Sequence, residues 1–336
     1  MIVGGDIGGT KTLLGLFDVA PARAGHIGAA HRPRVVATGS YVTSEYGSAG
    51  EILDEFRRDI GRPLTVDAAA IGVAGPVVAN AATLTNIPWG ITASEIAARL
   101  GTARVRVLND LEAMANSVEV LTAEEVCVLQ QGTPRADGNA ALIAAGTGLG
   151  QALLHRTGGR LRPVPSEGGH ADFAARTDRE IELVRMLRER YGRAEVEQVL
   201  SGPGLLNLHR FTHRGGECEM LAGVAEADAP PVITQAGMGG RCQPCAEALR
   251  MFVSAYGAEA GNLALRGMAT AGLYVGGGIA PKILPALTTG LFMDAFLAKE
   301  PMQELLEGVP VKVILNLEAG LLGAAVCAQE IAGGLT

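Results

Sequence analysis

Short apolar runs alternate with longer amphipathic stretches along the whole chain, and each kind predicts an element. Residues 1–20 read as a hairpin: the β-like run MIVGGDI, the turn GGTK and the return strand TLLGLFDV. VVATGSYVT at 35–43 predicts a third strand, and APARAGHIGAAHRPR before it a loop. EILDEFRRDIG at 51–61 has one apolar face and a closing glycine, which predicts a helix. VDAAAIGVAG at 66–75 is unbroken and apolar, as a buried strand is. TASEIAARLG at 92–101 begins with Thr92, places Glu95 three positions on and ends in glycine, the pattern of a capping-box helix. RVRVLND at 104–110 predicts a strand, and LEAMANSVEVL after it a helix.

The second half starts in the same way. AALIAAGTGLGQALLHR at 140–156 is again strand, Gly/Thr turn and strand, and long helices are expected at about 178–191 and 244–268. GLYVGGGIAPKI at 272–283 is a strand running into a glycine turn, VPVKVIL at 309–315 a strand, and EAGLLGAAVCAQEIA at 318–332 a closing helix. Two glycine-turn hairpins, near residues 8 and 148, suggest an internal duplication. Strands alternating with helices argue an α/β fold. No Pro- or Ser-rich linker separates the halves, and the domain boundary is expected near residue 110, where a strand gives way to a helix.

Length agrees with two domains: there are 336 residues, against ~100–200 per domain. The apolar fraction, 48%, is that of an ordinary globular protein whose core needs neither disulfide nor metal. Glycine is in excess, with 46 residues, nearly twice the ~7% average. These glycines have no period, which excludes collagen-like and low-complexity chains. The net charge is −7 and the basic residues are scattered, so neither nucleic acid nor an anionic membrane is an expected partner. The apolar start is broken at Asp6 and lacks a cationic flank, so no secretory signal is expected. Residues 68–94 carry no charge, but Gly72, Gly75, Pro76, Asn80, Pro88 and Gly90 interrupt them, unlike a membrane helix. Five cysteines without an export signal suggest reduced thiols in the cytoplasm.

The two glycine turns are the first candidates for chemistry. Successive backbone N–H groups in such a turn make a concave anion site, and Thr10 or Thr147 can add a hydroxyl. Asp6 would repel phosphate, but it can hold Mg²⁺ or a Mg²⁺-bound water beside it. The alternative is a tight hairpin in which Asp6 caps its own turn. A Walker A motif does not occur. GTGLGQ at 146–151 resembles half of a dinucleotide fingerprint but runs into the β-like QALLHR, where that fingerprint needs a helix.

Asn109 and Asp110 end a strand and begin a helix. Their donors and acceptors suit a polyhydroxylated ligand, with Asp110 free to take a hydroxyl proton; an ordinary N-cap is the alternative. In PSEGGHADF, Glu167 and His170 flank two glycines, so a flat ring could lie against bare backbone while both side chains bond its hydroxyls; a polar turn is the alternative. Glu197 stands just before a further glycine turn in VEQVLSGPGLLNL, where a lone helical Glu is ordinarily a solvated surface residue. Cys242 and Cys245 form CQPC, with the C-x₂-C spacing of metal ligands. No second pair is near in sequence, although Cys218 or His213 could approach in space, and a pair of buried thiols at a helix start is the favoured expectation.

Taken in order, DIGGT, LND, AAGTGLG, SEGGH, LSGPGL, GNLAL and GGGIAPK make the chain similar, from residue 4 to about 325, to bacterial glucokinases of the hexokinase/actin/Hsp70 ATPase superfamily. The resemblance implies an actin-like, ribonuclease H-like ATPase fold: two α/β domains around a cleft, a small one of residues 1–110 plus about 318–336 and a large one of 111–317. It implies phosphate loops at Asp6, Gly8, Gly9, Thr10 and Lys11 and at Gly146, Thr147 and Gly148, with Gly277 and Gly278 on the adenosine side. Asn109, Asp110, Gly148, Glu167, His170 and Glu197 match positions that bind glucose, and Asp110 matches the catalytic base. ATP, Mg²⁺ at Asp6 through water, glucose and a homodimer follow as expected partners.

Lys11–Thr12 stands where proteobacterial glucokinases more often have Asn-Ala and is more like the related ROK sugar kinases. The cysteine-rich zinc run that ROK proteins place after their Glu-x-Gly-His motif is absent here, which makes His170 a sugar ligand rather than a zinc ligand. The expected reaction is ATP-dependent phosphorylation of glucose at its 6-hydroxyl. The alternatives are a kinase for another hexose or an N-acetylhexosamine, a non-catalytic sugar sensor on the same fold, and an assembly ATPase. The sensor would need a DNA-binding helix-turn-helix, and an assembly ATPase leaves SEGGH unexplained.

Overall fold

The computed structural model describes residues 1–19, 31–84 and 87–334. Of the loop expected over 20–34, residues 20–30 lie outside these. Strand β1 (Ile2–Ile7) turns into the antiparallel β2 (Lys11–Asp18), and β3 (Arg34–Val42) adds to the outer side of β2. Helix α1 (Ala49–Ile60) leads to β4 (Ala68–Val73), which is parallel to β1. Three short strands, β5 (Val77–Val78), β6 (Ala81–Thr83) and β7 (Gly90–Thr92), form a side sheet. After α2 (Ala93–Leu100), β8 (Val105–Asn109) pairs in parallel with β4 and passes directly into α3 (Asp110–Ser117). The first sheet is thus ordered β3-β2-β1-β4-β8.

Local chemistry sets these boundaries. Every residue of β4, AAAIGV, is buried, as expected of a strand with parallel neighbours on both sides. Ser48 caps α1 by accepting from Glu51 N, the Glu51 carboxylate accepts from Gly47 N at 2.8 Å, and the helix ends at Gly61 in the left-handed region. Thr92 likewise caps α2 by accepting from Glu95 N, and Gly101 ends it in the left-handed region.

The second half contains β9 (Val126–Gln130), β10 (Ala140–Ala145), β11 (Leu149–Thr157), β12 (Arg160–Ser166), α4 (Asp178–Tyr191), α5 (Gly202–His213), α6 (Ala229–Met238) and α7 (Gln243–Gly267). Then come β13 (Gly272–Gly276), the short helices α8 (Leu284–Leu287), α9 (Leu291–Leu297) and α10 (Gln303–Glu307), β14 (Val311–Ile314) and the closing helix α11 (Ala319–Ala332). Their sheet is ordered β12-β11-β10-β13-β14-β9. Hairpin β10–β11 followed by parallel β13 repeats hairpin β1–β2 followed by parallel β4, which is the duplication foreshadowed by the two glycine turns.

Two compact units result. One is Met1–Ala123 with Thr157–Pro163 and Asn316–Thr336; the other is Glu124–Arg156 with Val164–Leu315. The division falls after Ala123 rather than near residue 110, because α3 packs on α11 and β4 of the first unit. Helix α11 packs on β1, β4 and α3 and is buried continuously from Ala319 to Gln329. The core of the second unit gathers around α7, where Phe252, Tyr256 and Phe292 meet edge to face. Among the described residues no helix is long and apolar enough to cross a membrane.

Candidate active site

In the first unit, the candidate residues collect at the carboxyl ends of adjacent parallel strands. Asp6 is next to last in β1, Asn109 is last in β8, and β4 lies between them, with Gly72 opposite Asp6 and Val73 opposite Asn109. Open α/β sheets bind ligands at this end. Asn109 caps α3: its Oδ1 accepts from Leu111 N at 3.0 Å, and its Nδ2 donates to Gly75 O at 3.0 Å. Asp110 opens α3, with Oδ1 accepting from Leu111 N at 2.8 Å. It is exposed at the surface yet crowded by protein on its other sides. That desolvation raises its pKa against the lowering effect of hydrogen bonds from Leu111, its own N–H and Asn109.

Asp6 is mostly buried, and its pKa rises to about 6, first through burial and then through the Asp110 carboxylate. It does not cap its own turn: among the described residues its carboxylate has no hydrogen-bond partner. Helix α11 comes against it at Gly320, where a Cβ would fall 2.6 Å from Asp6 Oδ2. The turn that follows is closed by Gly8 N to Lys11 O at 3.0 Å. Thr43 anchors it, donating from Oγ1 to Gly8 O at 2.9 Å and from its N–H to Thr10 O at 3.0 Å, while Thr12 and Thr43 hydroxyls pair beneath. Thr10 and Lys11 are exposed at its tip.

In the second unit, Gly146, Thr147 and Gly148 form the turn between β10 and β11, closed by Gly146 N to Gly148 O at 2.8 Å. Glu197 is not on a solvated helix face, the ordinary place of a lone helical Glu. It is half-buried, precedes α5, and accepts from Leu149 N at 2.8 Å. A Cβ on Gly148 would sit 2.7 Å from Glu197 Oε2, so any side chain there has to displace this carboxylate. The glycines after Glu197 are not a free turn either: Ser201 caps α5 through Gly204 N, and its hydroxyl donates to Glu197 O at 2.7 Å. Proline is compatible with that first helical turn. Gly202 N then donates to Gly146 O at 2.8 Å, tying α5 to the glycine turn.

Glu167 and His170 bracket a single 3₁₀ turn and are both exposed. Glu197 N donates to Gly169 O at 2.9 Å, bringing this turn against Glu197. His170 Nδ1 lies 2.8 Å from Glu195 Oε2, a partner the sequence did not signal. That hydrogen bond raises the His170 pKa; burial opposes it, and the charges of Glu197, Glu195 and Glu167 reinforce it. Arg193 bonds the His170 carbonyl and stands 3.4 Å from Glu195. Behind the turn, buried Gln151 Nε2 donates to buried Glu259, which also accepts from Asn262 and Arg266. Gly277, in the left-handed region at φ 84, lies against the end of β10, and Ile279 N donates to Ala145 O at 3.2 Å. Tyr256, fully buried, accepts from Ala145 N at 3.2 Å and donates to Gly276 O at 3.3 Å, holding together the ends from which the 146–148 and 277–278 turns leave.

The structure therefore groups Asp6, the 8–11 turn, Asn109 and Asp110 in one unit. In the other it groups the 146–148 turn, Glu167, His170, Glu197 and the 277–278 turn.

Two sheets that each pair a glycine-turn hairpin with parallel strands define an actin-like ATPase fold. The glucokinase from an Antarctic psychrotroph superposes with a TM-score of 0.85 at 29% identity, covering 98% of each chain. A ROK family glucokinase from Streptomyces griseus, solved with glucose and AMPPNP, shares the fold with a TM-score of 0.62 at 22% identity over 98% of this chain and 99% of that one. A glucokinase of Synechocystis sp. is 37% identical over 348 aligned positions, 97% of each chain. The Glucokinase family model matches residues 3–331, and the chain belongs to the glucokinase family.

Proposed function

We propose that Asp110 takes the proton of the glucose 6-hydroxyl as that oxygen attacks the γ-phosphorus of ATP. As a member of the glucokinase family the chain phosphorylates glucose with ATP; the residue roles are our reading. The observation that carries them is Asp110 itself. Its carboxylate is exposed, one oxygen is held by the Leu111 N–H, and desolvation lifts its pKa toward the range in which a base works best. Asn109, its side chain fixed by Leu111, Gly75 and Asp110, offers its remaining lone pair to the sugar. Glu167, His170, Glu197 and the Gly148 backbone are the further glucose ligands. His170, held at Nδ1 by Glu195, keeps Nε2 for a hydroxyl.

The 8–11 and 146–148 turns are proposed to receive the phosphates, with Lys11 adding positive charge, and Gly277 and Gly278 to border the adenosine. Asp6 fits a Mg²⁺ partner: its carboxylate is mostly buried, has no hydrogen-bond partner among the described residues, and carries a pKa of about 6 that a nearby cation would bring down. Bound Mg²⁺ would neutralise phosphate charge there. Most of the acceleration comes from positioning and from preorganised charge. The same reading takes the enzyme as an ATP:hexose 6-phosphotransferase, cytoplasmic and homodimeric.

ADP release with Mg-ATP over a panel of hexoses and N-acetylhexosamines tests the assignment. Glucose should give the highest kcat/KM. A different best sugar would move the specificity, and no stimulation by any sugar would overturn the reading.

A further inference from the structure

A second cluster of chemistry-bearing side chains lies in the second unit and uses none of the residues assigned to the kinase site. Helix α5 ends at His213, and the chain passes through Arg214 (φ 52) and Gly215 (φ 77), both in the left-handed region. It returns to set Cys218 beside Cys242 and Cys245 at the start of α7. Cys218 Sγ lies 4.0 Å from Cys242 Sγ and 3.9 Å from Cys245 Sγ, and Cys242 Sγ lies 3.4 Å from His213 Nε2. Donor atoms of His209, His213, Cys218 and Cys245 all fall within 4.8 Å of one another.

Three features point to an ion at the centre. The first is spacing. Tetrahedral zinc, ~2.3 Å from sulfur and ~2.0 Å from nitrogen, holds its donors ~3.5–3.8 Å apart. The observed separations, 3.4 to 4.0 Å, lie close to those values. They are far beyond the ~2.05 Å of a disulfide, and the cysteines are free. The second is the His213 tautomer. Its Nδ1 is 2.9 Å from the His209 carbonyl, which can only accept. The proton is therefore on Nδ1, and the Nε2 lone pair faces Cys242, the way a backbone carbonyl orients a metal-binding imidazole. The third is His209, only 7% exposed, with neither ring nitrogen in a hydrogen bond. A buried imidazole without a partner is costly, and this one stands within reach of the cluster centre as the alternative nitrogen ligand to His213.

We propose that this cluster is a structural zinc site. Cys218, Cys242 and Cys245 bind as thiolates, and one imidazole of the His209–His213 pair, His213 by its orientation, completes the tetrahedron. The other ring stacks on it, with centroids 3.9 Å apart. Thiolate and imidazole donors favour zinc over the oxygen-seeking Mg²⁺ and Ca²⁺. Four protein ligands leave no position for substrate, so the ion is structural. Each thiol gives up its proton on binding. The ion clamps the end of α5, the connection after it and the start of α7 into one body. Because the opposite end of α5 is tied through Gly202 to Gly146, the clamp steadies the helix that props the 146–148 turn. That last consequence rests on the phosphate reading of the turn; metal binding does not.

The test is metal analysis of the full chain purified under reducing conditions without chelator, followed by replacement of the ion with Co²⁺. The expected results are about one zinc per chain and, with Co²⁺, the strong visible bands of a tetrahedral site plus thiolate charge transfer. Cys242→Ser should leave well under one zinc per chain, whereas Cys127→Ser, outside the cluster, should keep it. His213→Ala should lose more metal than His209→Ala. Should Cys242→Ser fail to fold, the native chain still decides. No zinc, no tetrahedral Co²⁺ spectrum, and thiols that alkylate equally fast with and without added Zn²⁺ would overturn the proposal.

Discussion

The Glu197 carboxylate holds Leu149 N at 2.8 Å and lies 2.7 Å from where a Cβ on Gly148 would be. The second glycine turn and a proposed sugar ligand thus position each other. Gly148→Ala has to displace the carboxylate. A charged hydrogen bond of this kind contributes about 1.5–3 kcal/mol, so kcat/KM should fall about 10- to 100-fold. Steady-state kinetics beside a melting curve checks this. A Tm that drops in step with activity would mean that the fold, rather than the site, was damaged.

Asp6 is expected to cost stability in the ligand-free protein. Its folded pKa, about 6, exceeds its ordinary 3.8, so the folded state binds the proton more tightly than the unfolded state. The sign follows: its contribution is favourable in acid and is lost as pH rises from about 4 to about 6. Asp6→Asn in chelator at pH 7 should therefore be more stable by about 1–3 kcal/mol while losing kinase activity. Denaturant melts at pH 4 and pH 7 check it, since the advantage should shrink at the lower pH.

For His170 the raised pKa gives the same pH direction, but here it is the charged form that the folded state favours. Glu195 stabilises the protonated ring, so that stabilisation is complete below the ordinary imidazole pKa and disappears as pH rises through the folded value. Glu195→Gln should lower the His170 pKa, visible in the imidazole NMR titration, and raise KM for glucose with a smaller effect on kcat. An unchanged titration would remove Glu195 from the site.

Tyr256→Phe leaves the buried Ala145 N–H without its acceptor. A loss of about 1–3 kcal/mol in unfolding free energy is expected, with KM for ATP raised because the two glycine turns leave from the strand ends that Tyr256 joins. Calorimetry and ATP kinetics together read both effects.

What the sequence disclosed was what is local. Capped helices such as α1 and α2, the two hairpins and the buried run of β4 carry their signals within a dozen residues. Asp6, Asn109, Asp110, Glu167 and His170 stood out because each interrupts a glycine-rich or apolar stretch. Side chains whose role depends on distant partners were not legible: Thr43 on Gly8, Glu195 on His170, Tyr256 on Ala145 and Gln151 on Glu259 are all side-chain bonds across long loops. Helix α5 was obscured by its opening Gly-Pro-Gly, and Glu197 with it, because breaker residues at a first turn look like a loop until Ser201 is seen to cap it. The thiol cluster was half legible: C-x₂-C was visible, but the approach of Cys218 and His213 to it was only one possibility beside the favoured pair of buried thiols.

The central claim rests on Asp110, and Asp110→Asn with separate measurements of kcat and glucose Kd tests it most directly. The substitution keeps size and the Leu111 contact but removes the base. Phosphoryl transfer should fall by about 10²- to 10⁴-fold while glucose Kd changes only a few-fold. A kcat near that of the native chain, or a loss confined to glucose binding, would contradict the base role.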